Sequence, residues 1–267
     1  MPIPKIIHQT FSARSDMPDF LLENARKLQA MNPTWEHRIY EDADCERFIL
    51  DNFDKATWTL FQSIHRDYCA ARADFFRYLL LYRLGGVYLD IKSSCSVPLD
   101  SFLRQDDEFL LSHWRDPRDG YHPEFGVDSE FQQWHIIARA GHPFLNAVIS
   151  RVSENLRNYD PIGDGVGKRA VLQMTGPIAY TRAIMPLIGR YPYRLFEAEV
   201  TGVTYSIAPM RHDKIFRKHY SKVTRPLVRF AFAKKDYLSS KILALLLIYL
   251  NARFYKFLRK AFSRLGK

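Results

Sequence analysis

The chain is poor in the features that mark secreted, zinc-binding and membrane-spanning proteins. It has only three cysteines in 267 residues, Cys45, Cys69 and Cys95, and they form no CxxC pair. An odd number of widely spaced cysteines indicates free thiols in a reducing compartment rather than a disulfide framework. No apolar run approaches the ~20 residues that cross a bilayer, and the start, MPIPKIIHQT, lacks the pattern of a signal peptide. We therefore expect a cytoplasmic chain without an N-terminal anchor.

The composition is that of a folded protein. Hydrophobic residues make up 47% of the chain and aromatic residues 14%, which excludes an intrinsically disordered chain. A chain of this length buries about three quarters of its unfolded surface. We expect one domain, with or without an appendage.

Positive charge is concentrated at the end of the sequence. From Met210 onward there are 16 Lys and Arg residues and two acidic ones, whereas the preceding part has 23 basic and 27 acidic residues. The last segment contains nine unbroken apolar residues, 242–250, and then apolar residues interleaved with basic ones. This pattern predicts a main domain over 1–235 and a basic amphipathic helical tail over 236–267 that binds an anionic membrane surface.

Two alternatives for the tail are a helix packed on the main domain and a contact between copies of the chain. No recognisable nucleic-acid-binding module accompanies the basic residues, so we expect no nucleic-acid partner.

Strand and helix patterns alternate along the chain. This alternation predicts an α/β fold with a mainly parallel sheet and helices on both faces. The strands are expected at residues 3–11, 35–40, 87–90, 109–112 and 193–199. The helices are expected at 18–32, 42–52, 64–84, 130–140, 142–156 and 170–189.

The segment from Ala71 to Asp100 carries polar residues where an ordinary core has none. Asp74 and Arg77 lie one turn apart on a strongly apolar helix pattern, so they can share a face. A Gly-Gly break and a short apolar run then lead to Asp90. Because open α/β sheets bind ligands at the carboxyl ends of their strands, these three residues predict a binding site.

This segment reads RADFFRYLLLYRLGGVYLD, and it is preceded near the N-terminus by IPKIIHQTF. Together they resemble the sugar-nucleotide-dependent glycosyltransferases with a DXD motif. The resemblance is closest to glycosyltransferase family 32, which includes initiating α-1,6-mannosyltransferases of the fungal Golgi and bacterial polysaccharide enzymes; clostridial glucosylating toxins share the core pattern. The segments FQQWHIIARAGHPFLNAVI and TGPIAYTRAI also fit, so the resemblance covers roughly residues 3–184.

The resemblance implies a GT-A-type, Rossmann-like nucleotide-diphospho-sugar transferase fold, with residues 1–235 as the catalytic domain. It also implies residue roles at the matching positions. The catalytic candidates that contact sugar, ribose and diphosphate by this resemblance are Asp74, Arg77 and Asp90, and Lys92, where the chain departs from the pattern, is the fourth candidate. The donor-binding candidates are His8, Gln9, Thr10 and Tyr88. The acceptor-side candidates are Glu130 and Trp134, with Asp128 beside them.

The sequence departs from the family pattern at Lys92. The second aspartate of a DXD motif binds Mn²⁺ or Mg²⁺, but here the motif reads Asp90-Ile91-Lys92. An ammonium cannot ligate a metal, although it can pair with phosphate. Either Lys92 partly replaces the cation, or a divalent metal is held by Asp90 with a late residue, for which His219 is the first candidate and His212 the second.

The function implied is a retaining glycosyltransferase that moves a hexose from a UDP- or GDP-sugar to a bacterial surface polysaccharide or lipid-linked glycan. In that scheme the leaving phosphate oxygen deprotonates the acceptor hydroxyl. We expect it at the inner face of the cell membrane. The alternatives are a toxin-like protein glycosyltransferase and a non-catalytic, membrane-associated sugar-nucleotide binder. For single residues, the simpler interpretations are a core histidine at His8 and a core aromatic at Trp134.

Overall fold

The computed structural model of the protein describes residues 2–116, 125, 130–208 and 220–229. The predicted tail over 236–267 lies outside these residues, as do Asp128, His212 and the candidate metal ligand His219. Among the described residues no helix has the length and apolar character to cross a membrane.

Strands and helices alternate through the described part of the chain. The strands are β1 (Ile6–Thr10), β2 (Glu36–Tyr40), β3 (Gly86–Leu89), β4 (Ser94–Cys95), β5 (Phe109–Leu111), β6 (His135–Ala138), β7 (Arg194–Leu195) and β8 (Val203–Thr204). The helices are α1 (Asp19–Met31), α2 (Asp42–Asn52), α3 (Lys55–Ser63), α4 (Cys69–Leu84), α5 (Pro143–Arg157), α6 (Gly167–Met174), α7 (Pro177–Ile184) and α8 (Ala198–Thr201).

The larger sheet of the described residues has the strand order β2-β1-β3-β6-β5-β7. Its strands pair in parallel from β2 through β1 to β3 and again between β5 and β7, while β6 runs antiparallel to both of its neighbours. The short strands β4 and β8 form a separate antiparallel pair. Most of the pairs in the larger sheet are parallel, which confirms the predicted α/β class.

Helix α4 lies at the centre of the core. Nearly every residue from Ala71 to Leu81 is buried, so this part of the helix is covered on all sides and not only along one face. A helix that is apolar all round is expected in the interior of a protein. Because Asp74 and Arg77 lie on it, both of their charges are buried.

The predicted helix over 130–140 is wrong. Residues 135–138 form strand β6, whose four residues are all buried between β3 and β5. The short apolar run His-Ile-Ile-Ala fits a buried strand as well as a helix, and periodicity cannot separate the two. Residues 135–138 form a strand because they pair with β3 on one side and β5 on the other, and both of these partners are distant in the sequence.

Other element boundaries also differ. The predicted helix over 170–189 is divided into α6 and α7, because Gly176 and Pro177 end one helix and begin the next. The predicted strand over 193–199 is shorter, since α8 begins at Ala198. Helix α4 starts at Cys69 rather than Ile64, and α3 was not predicted.

The segment before α4 pairs with a distant part of the chain. Ile64 forms a β-bridge with Val228, and the His65 amide donates to the Leu227 carbonyl at 2.7 Å. Leu227 and Val228 are buried in the same core cluster as α4. The main domain thus includes residues up to this point, while the boundary at 235 stays a prediction.

Two glycines let β3 fold back from the end of α4. Gly86 has φ +104°, and a β-carbon there would lie 2.6 Å from the Ile6 carbonyl oxygen and 3.0 Å from Nε2 of His8. The close approach of β3 to β1 therefore depends on the missing side chain.

We predict that Gly86→Ala destabilises the fold much more than Gly141→Ala. Both glycines have a positive φ, which costs an L-residue about 1–2 kcal/mol, but a β-carbon at Gly141 would meet nothing within 4 Å. Overpacking should add about 1–3 kcal/mol at Gly86 alone. Urea unfolding of both variants measures this difference, and equal losses would show that β3 can shift away from β1.

Candidate functional site

Arg77 bridges two carboxylates at the carboxyl end of β3. Its Nη2 atom lies 3.2 Å from Oδ1 of Asp74 and 3.1 Å from Oδ1 of Asp90. Nη1 donates to the carbonyl oxygen of Gln133 at 2.7 Å and to its side-chain Oε1 at 2.9 Å. The guanidinium also lies over the ring of Tyr88, 4.5 Å from its centroid. The structure thus brings together the three residues on which the sequence-based site depends.

Three elements hold this cluster. Helix α4 presents Asp74 and Arg77 one turn apart, and the turn at Gly85 and Gly86 leads directly into β3. Asp90 follows β3, and its amide donates to the Trp134 carbonyl oxygen at 2.8 Å. That hydrogen bond ties Asp90 to the segment before β6, which also contributes Gln133. The site forms where the middle of α4, the end of β3 and the segment before β6 meet.

Asp74 is the most enclosed member of the cluster. Thr175 donates to its Oδ2 at 3.0 Å and the Gln133 amide to its Oδ1 at 3.2 Å, in addition to the pair with Arg77. Burial raises the pKa of Asp74 to about 6, against the opposing effect of Arg77 and these hydrogen bonds. Asp90 differs, because 23% of its side chain is exposed. A ligand can therefore reach Asp90, whereas Asp74 acts from behind it through Arg77.

Thr175 and Gln133 were not identified as site residues from the sequence. Both lie in segments that resemble the family, TGPIAYTRAI and FQQW, but neither residue type signals a role by itself. They contact Asp74 across sequence separations of 101 and 59 residues. Such contacts appear only when the chain is folded.

Lys92 lies on the other side of Asp90. Its Nζ is 3.6 Å from Oδ2 of Asp90 and 4.1 Å from the ring centroid of Tyr205, another residue that the sequence did not point to. Lys92 exposes only 9% of its surface. Burial lowers the pKa of Lys92, although Asp90 opposes this effect.

The described residues do not fit a divalent metal. Each carboxylate oxygen of Asp90 faces a cation, Arg77 on one side and Lys92 on the other, so a divalent ion bound to Asp90 would be repelled by both. Within the described ranges, no three His, Cys, Asp or Glu side chains are grouped so that they could hold a metal ion. The predicted partner ligand, His219, lies outside those ranges, so its role stays a prediction.

Two donor-side candidates on β1, Gln9 and Thr10, contact Asp90 and Tyr88. The Gln9 amide donates to the Asp90 carbonyl oxygen at 3.3 Å, and the Thr10 hydroxyl lies 2.9 Å from the Tyr88 hydroxyl. His8 is fully buried, with Nε2 3.0 Å from the Gly85 carbonyl oxygen and Nδ1 3.1 Å from the Tyr40 hydroxyl. Burial lowers the pKa of His8 to about 4. These contacts favour the core-histidine interpretation for His8.

The acceptor-side candidates lie beyond Lys92. Trp134 is buried before β6 and packs against Tyr205, with 5.4 Å between ring centroids. It is therefore a core aromatic at the edge of the site and not a residue of a helix. Glu130 accepts a hydrogen bond from Nε1 of Trp114 at 3.4 Å, and burial raises the pKa of Glu130 to about 7. Tyr205 contacts Trp134 and Lys92, so it connects the two sides.

Comparison with known proteins agrees with this geometry. Residues 7–109, which contain Asp74, Arg77 and Asp90, match the family described as "Glycosyltransferase sugar-binding region containing DXD motif". The chain is 25% identical over 209 residues to the initiation-specific alpha-1,6-mannosyltransferase of Schizosaccharomyces pombe, covering 74% of this chain and 51% of that protein. It is 34% identical over 157 residues to inositol phosphoceramide mannosyltransferase 2 of the same organism, covering 59% and 40%. The chain thus spans about half the length of these relatives or less.

Solved structures share the fold. The glycosyltransferase PaToxG superimposes with a TM-score of 0.51 at 18% identity, covering 71% of this chain and 72% of that one. The UDP-bound glycosyltransferase domain of the YGT toxin gives 0.53 at 10% identity, covering 77% and 81%. The GT-A-type fold is confirmed, and residues 7–109 carry the sugar-binding region of the DXD-motif glycosyltransferases.

We predict an unusual pH dependence of stability from Asp74. Its pKa is about 6 in the folded protein and 3.8 in the ordinary state, so the folded protein holds the proton more tightly. The free energy of unfolding contributed by this carboxyl is therefore greatest below its unfolded pKa of 3.8, and it falls as pH rises from there to the folded pKa of about 6. Compared with Asp74→Asn, the wild type should lose stability mainly between about pH 4 and pH 6, by about 1.4 kcal/mol for each unit of pKa shift, and change little above that range.

Denaturant titrations of both proteins at several pH values measure this difference. Asp51→Asn, which removes an exposed carboxyl of α2, is the control for the loss of one negative charge. Arg77, Asp90 and the hydroxyls of Tyr78 and Tyr88 face the same cluster and are unchanged in both proteins. A wild-type advantage that grows with pH would contradict the assignment.

Proposed function

We propose that this protein is a retaining glycosyltransferase that moves a hexose from a nucleoside-diphosphate sugar to a hydroxyl acceptor. The observation that carries the proposal is the Arg77 guanidinium between Asp74 and Asp90, inside the region that matches the sugar-binding family. A fixed cation beside an accessible carboxylate can hold a diphosphate and the sugar hydroxyls at the same time.

The chemistry of the transfer requires such a site. Negative charge grows on the leaving diphosphate as the bond to the anomeric carbon breaks, and preorganised cations stabilise that charge. Arg77 is held by two carboxylates and by Gln133, so little reorganisation is needed when the charge develops. Lys92 adds a second cation beside Asp90. Asp90, the accessible carboxylate, is suited to accept hydrogen bonds from the sugar or ribose.

The engagement of both carboxylates supports transfer on one face of the sugar, which retains the anomeric configuration. Asp74 and Asp90 are both engaged with Arg77, and Asp74 accepts two further hydrogen bonds. Carboxylates engaged in this way are poor nucleophiles, which disfavours a covalent glycosyl-enzyme. We infer that the bond from the anomeric carbon to the diphosphate breaks first and leaves an ion pair of an oxocarbenium-like sugar and the diphosphate. The acceptor oxygen then bonds to the anomeric carbon on the same face, and the leaving phosphate oxygen takes the proton of the acceptor hydroxyl.

Two findings narrow the choice of donor. The curated relatives are named as mannosyltransferases, which makes mannose the first hexose to test. One structural neighbour was solved with UDP bound. GDP-mannose and UDP-hexoses are therefore the first donors to compare.

We predict donor hydrolysis by the purified protein with one nucleotide sugar of this set, and its loss in Asp90→Asn. Removal of one preorganised electrostatic group from an active site typically costs on the order of 10²-fold or more in rate. Release of the nucleoside diphosphate measures turnover, with Asp51→Asn as the control. Unchanged turnover in Asp90→Asn would place the active site elsewhere, and binding without turnover would favour the non-catalytic alternative.

We also propose that the enzyme works at the inner face of the cell membrane on a glycan or glycolipid of a bacterial surface polysaccharide. The support is the sequence after Tyr237, which interleaves Arg253, Lys256, Arg259 and Lys260 with aromatic and aliphatic residues. Each basic residue near an anionic surface contributes about 1 kcal/mol of attraction. Such a tail would bring the active site to a lipid-linked acceptor.

We predict that truncation after Lys235 releases the protein from vesicles that contain anionic lipid. Co-sedimentation at low and high salt measures binding, and added salt should weaken the binding of the full chain. Truncation should leave hydrolysis of the soluble donor unchanged, since Asp74, Arg77 and Asp90 precede the tail. Persistent binding of the truncated protein would show that the contact lies in the main domain.

A further inference from the structure

Lys92 occupies the position at which the family motif has its second acidic residue. Its side chain does not extend into solvent but points back into the site, where Nζ lies 3.6 Å from Oδ2 of Asp90. A flexible lysine on a surface samples many positions, whereas this one is nearly buried. The ammonium is thus a fixed part of the site.

The surroundings of Lys92 hold it in place. The ring of Tyr205 lies 4.1 Å from Nζ, and this cation–π contact offsets part of the loss of hydration. The Ile207 amide donates to the Lys92 carbonyl oxygen at 2.9 Å, and the Ser93 hydroxyl donates to the Tyr205 carbonyl oxygen at 2.8 Å. These bonds join the strand-end loop to the segment around Tyr205. The cation is therefore positioned before any ligand arrives.

A divalent metal bound to Asp90 would compete with both neighbouring cations. Arg77 is 3.1 Å from one carboxylate oxygen, and Lys92 is 3.6 Å from the other. Like charges a few ångströms apart repel strongly in a partly buried site. Metal binding at Asp90 would thus require the displacement of at least one of these pairs.

The formal charges point the same way. An aspartate with a divalent metal adds one positive unit, since the metal carries two and the carboxylate removes one. Lys92 adds one positive unit by itself. A diphosphate meets the same net charge in either arrangement. If Lys92 and a divalent metal were both present, the positive charge beside the diphosphate would be larger than in a site with the usual DXD pair.

The geometry points to Lys92 as a built-in cation that replaces the divalent metal, so that this chain binds the nucleoside diphosphate of its donor without metal. The inference rests on the proposed function, because it assigns the residue that neutralises the diphosphate in that site. In a supporting role, Lys92 would assist a bound metal. In the role inferred here, the donor binds without any metal.

Calorimetric titration of the full chain with UDP and with GDP tests this inference. One series contains EDTA and the other Mn²⁺. The variants are Lys92→Asp, which restores the usual acidic pair, and Lys92→Met, which removes the charge with little change in size. Lys55→Asp, at an exposed position that begins α3, is the control for the same change in net charge. Manganese electron paramagnetic resonance measures metal binding independently of nucleotide.

We expect the wild type and Lys55→Asp to bind one of the two nucleotides with the same affinity in EDTA and in Mn²⁺. Lys92→Met should bind it roughly 10- to 100-fold more weakly in either buffer, the loss expected for one charge-assisted contact. Lys92→Asp should bind weakly in EDTA, regain affinity with Mn²⁺ and take up Mn²⁺ in the resonance experiment.

Wild-type binding that requires Mn²⁺ would overturn the inference and leave the glycosyltransferase assignment intact. Unchanged affinity of Lys92→Met in EDTA would overturn it as well. If Lys92→Asp does not fold, the wild type and Lys92→Met decide the question by themselves. Absence of UDP and GDP binding by the wild type in both buffers, together with absence of donor hydrolysis, would instead reject the proposed function.

Discussion

The central constraint of this structure is the buried ion-pair cluster around Arg77. Burial of a guanidinium and a carboxylate removes both from water, and that cost is recovered only when geometry and hydrogen bonding are favourable. Here Asp74 and Asp90 share the guanidinium, and Gln133 occupies its other nitrogen. Since these groups come from α4, the end of β3 and the segment before β6, the cluster fixes the relative positions of all three.

The same cluster explains why the accessible and the enclosed carboxylate differ. Asp74 is surrounded by Arg77, Gln133 and Thr175, and its pKa is raised by burial. Asp90 lies at the open end of β3 between two cations and keeps part of its side chain in solvent. One carboxylate therefore orients the arginine, and the other is accessible to a ligand. This division of roles follows from depth in the fold and not from residue type.

The DXD motif keeps its position at the end of β3 in this chain, while the residue at its second acidic position changes from an acid to a base. The chain matches the DXD sugar-binding region and retains the first aspartate at the end of β3. At the second position a lysine is held by Asp90 and Tyr205. A fixed ammonium and a carboxylate-bound metal leave the same net charge beside a diphosphate, so one can replace the other without redesign of the surrounding sheet.

Local patterns in the sequence were sufficient to predict the α/β class, most helices and three residues of the candidate site. Apolar periodicity and the Gly-Gly break are local signals, and charges on an apolar helix stand out without knowledge of the fold. Strand β6 was mistaken for a helix because a four-residue apolar run has no decisive period. Thr175, Gln133 and Tyr205 gave no local signal, since their partners lie far away in the chain. Only the tertiary structure could place them, because contacts at long sequence separation depend on how the elements pack together.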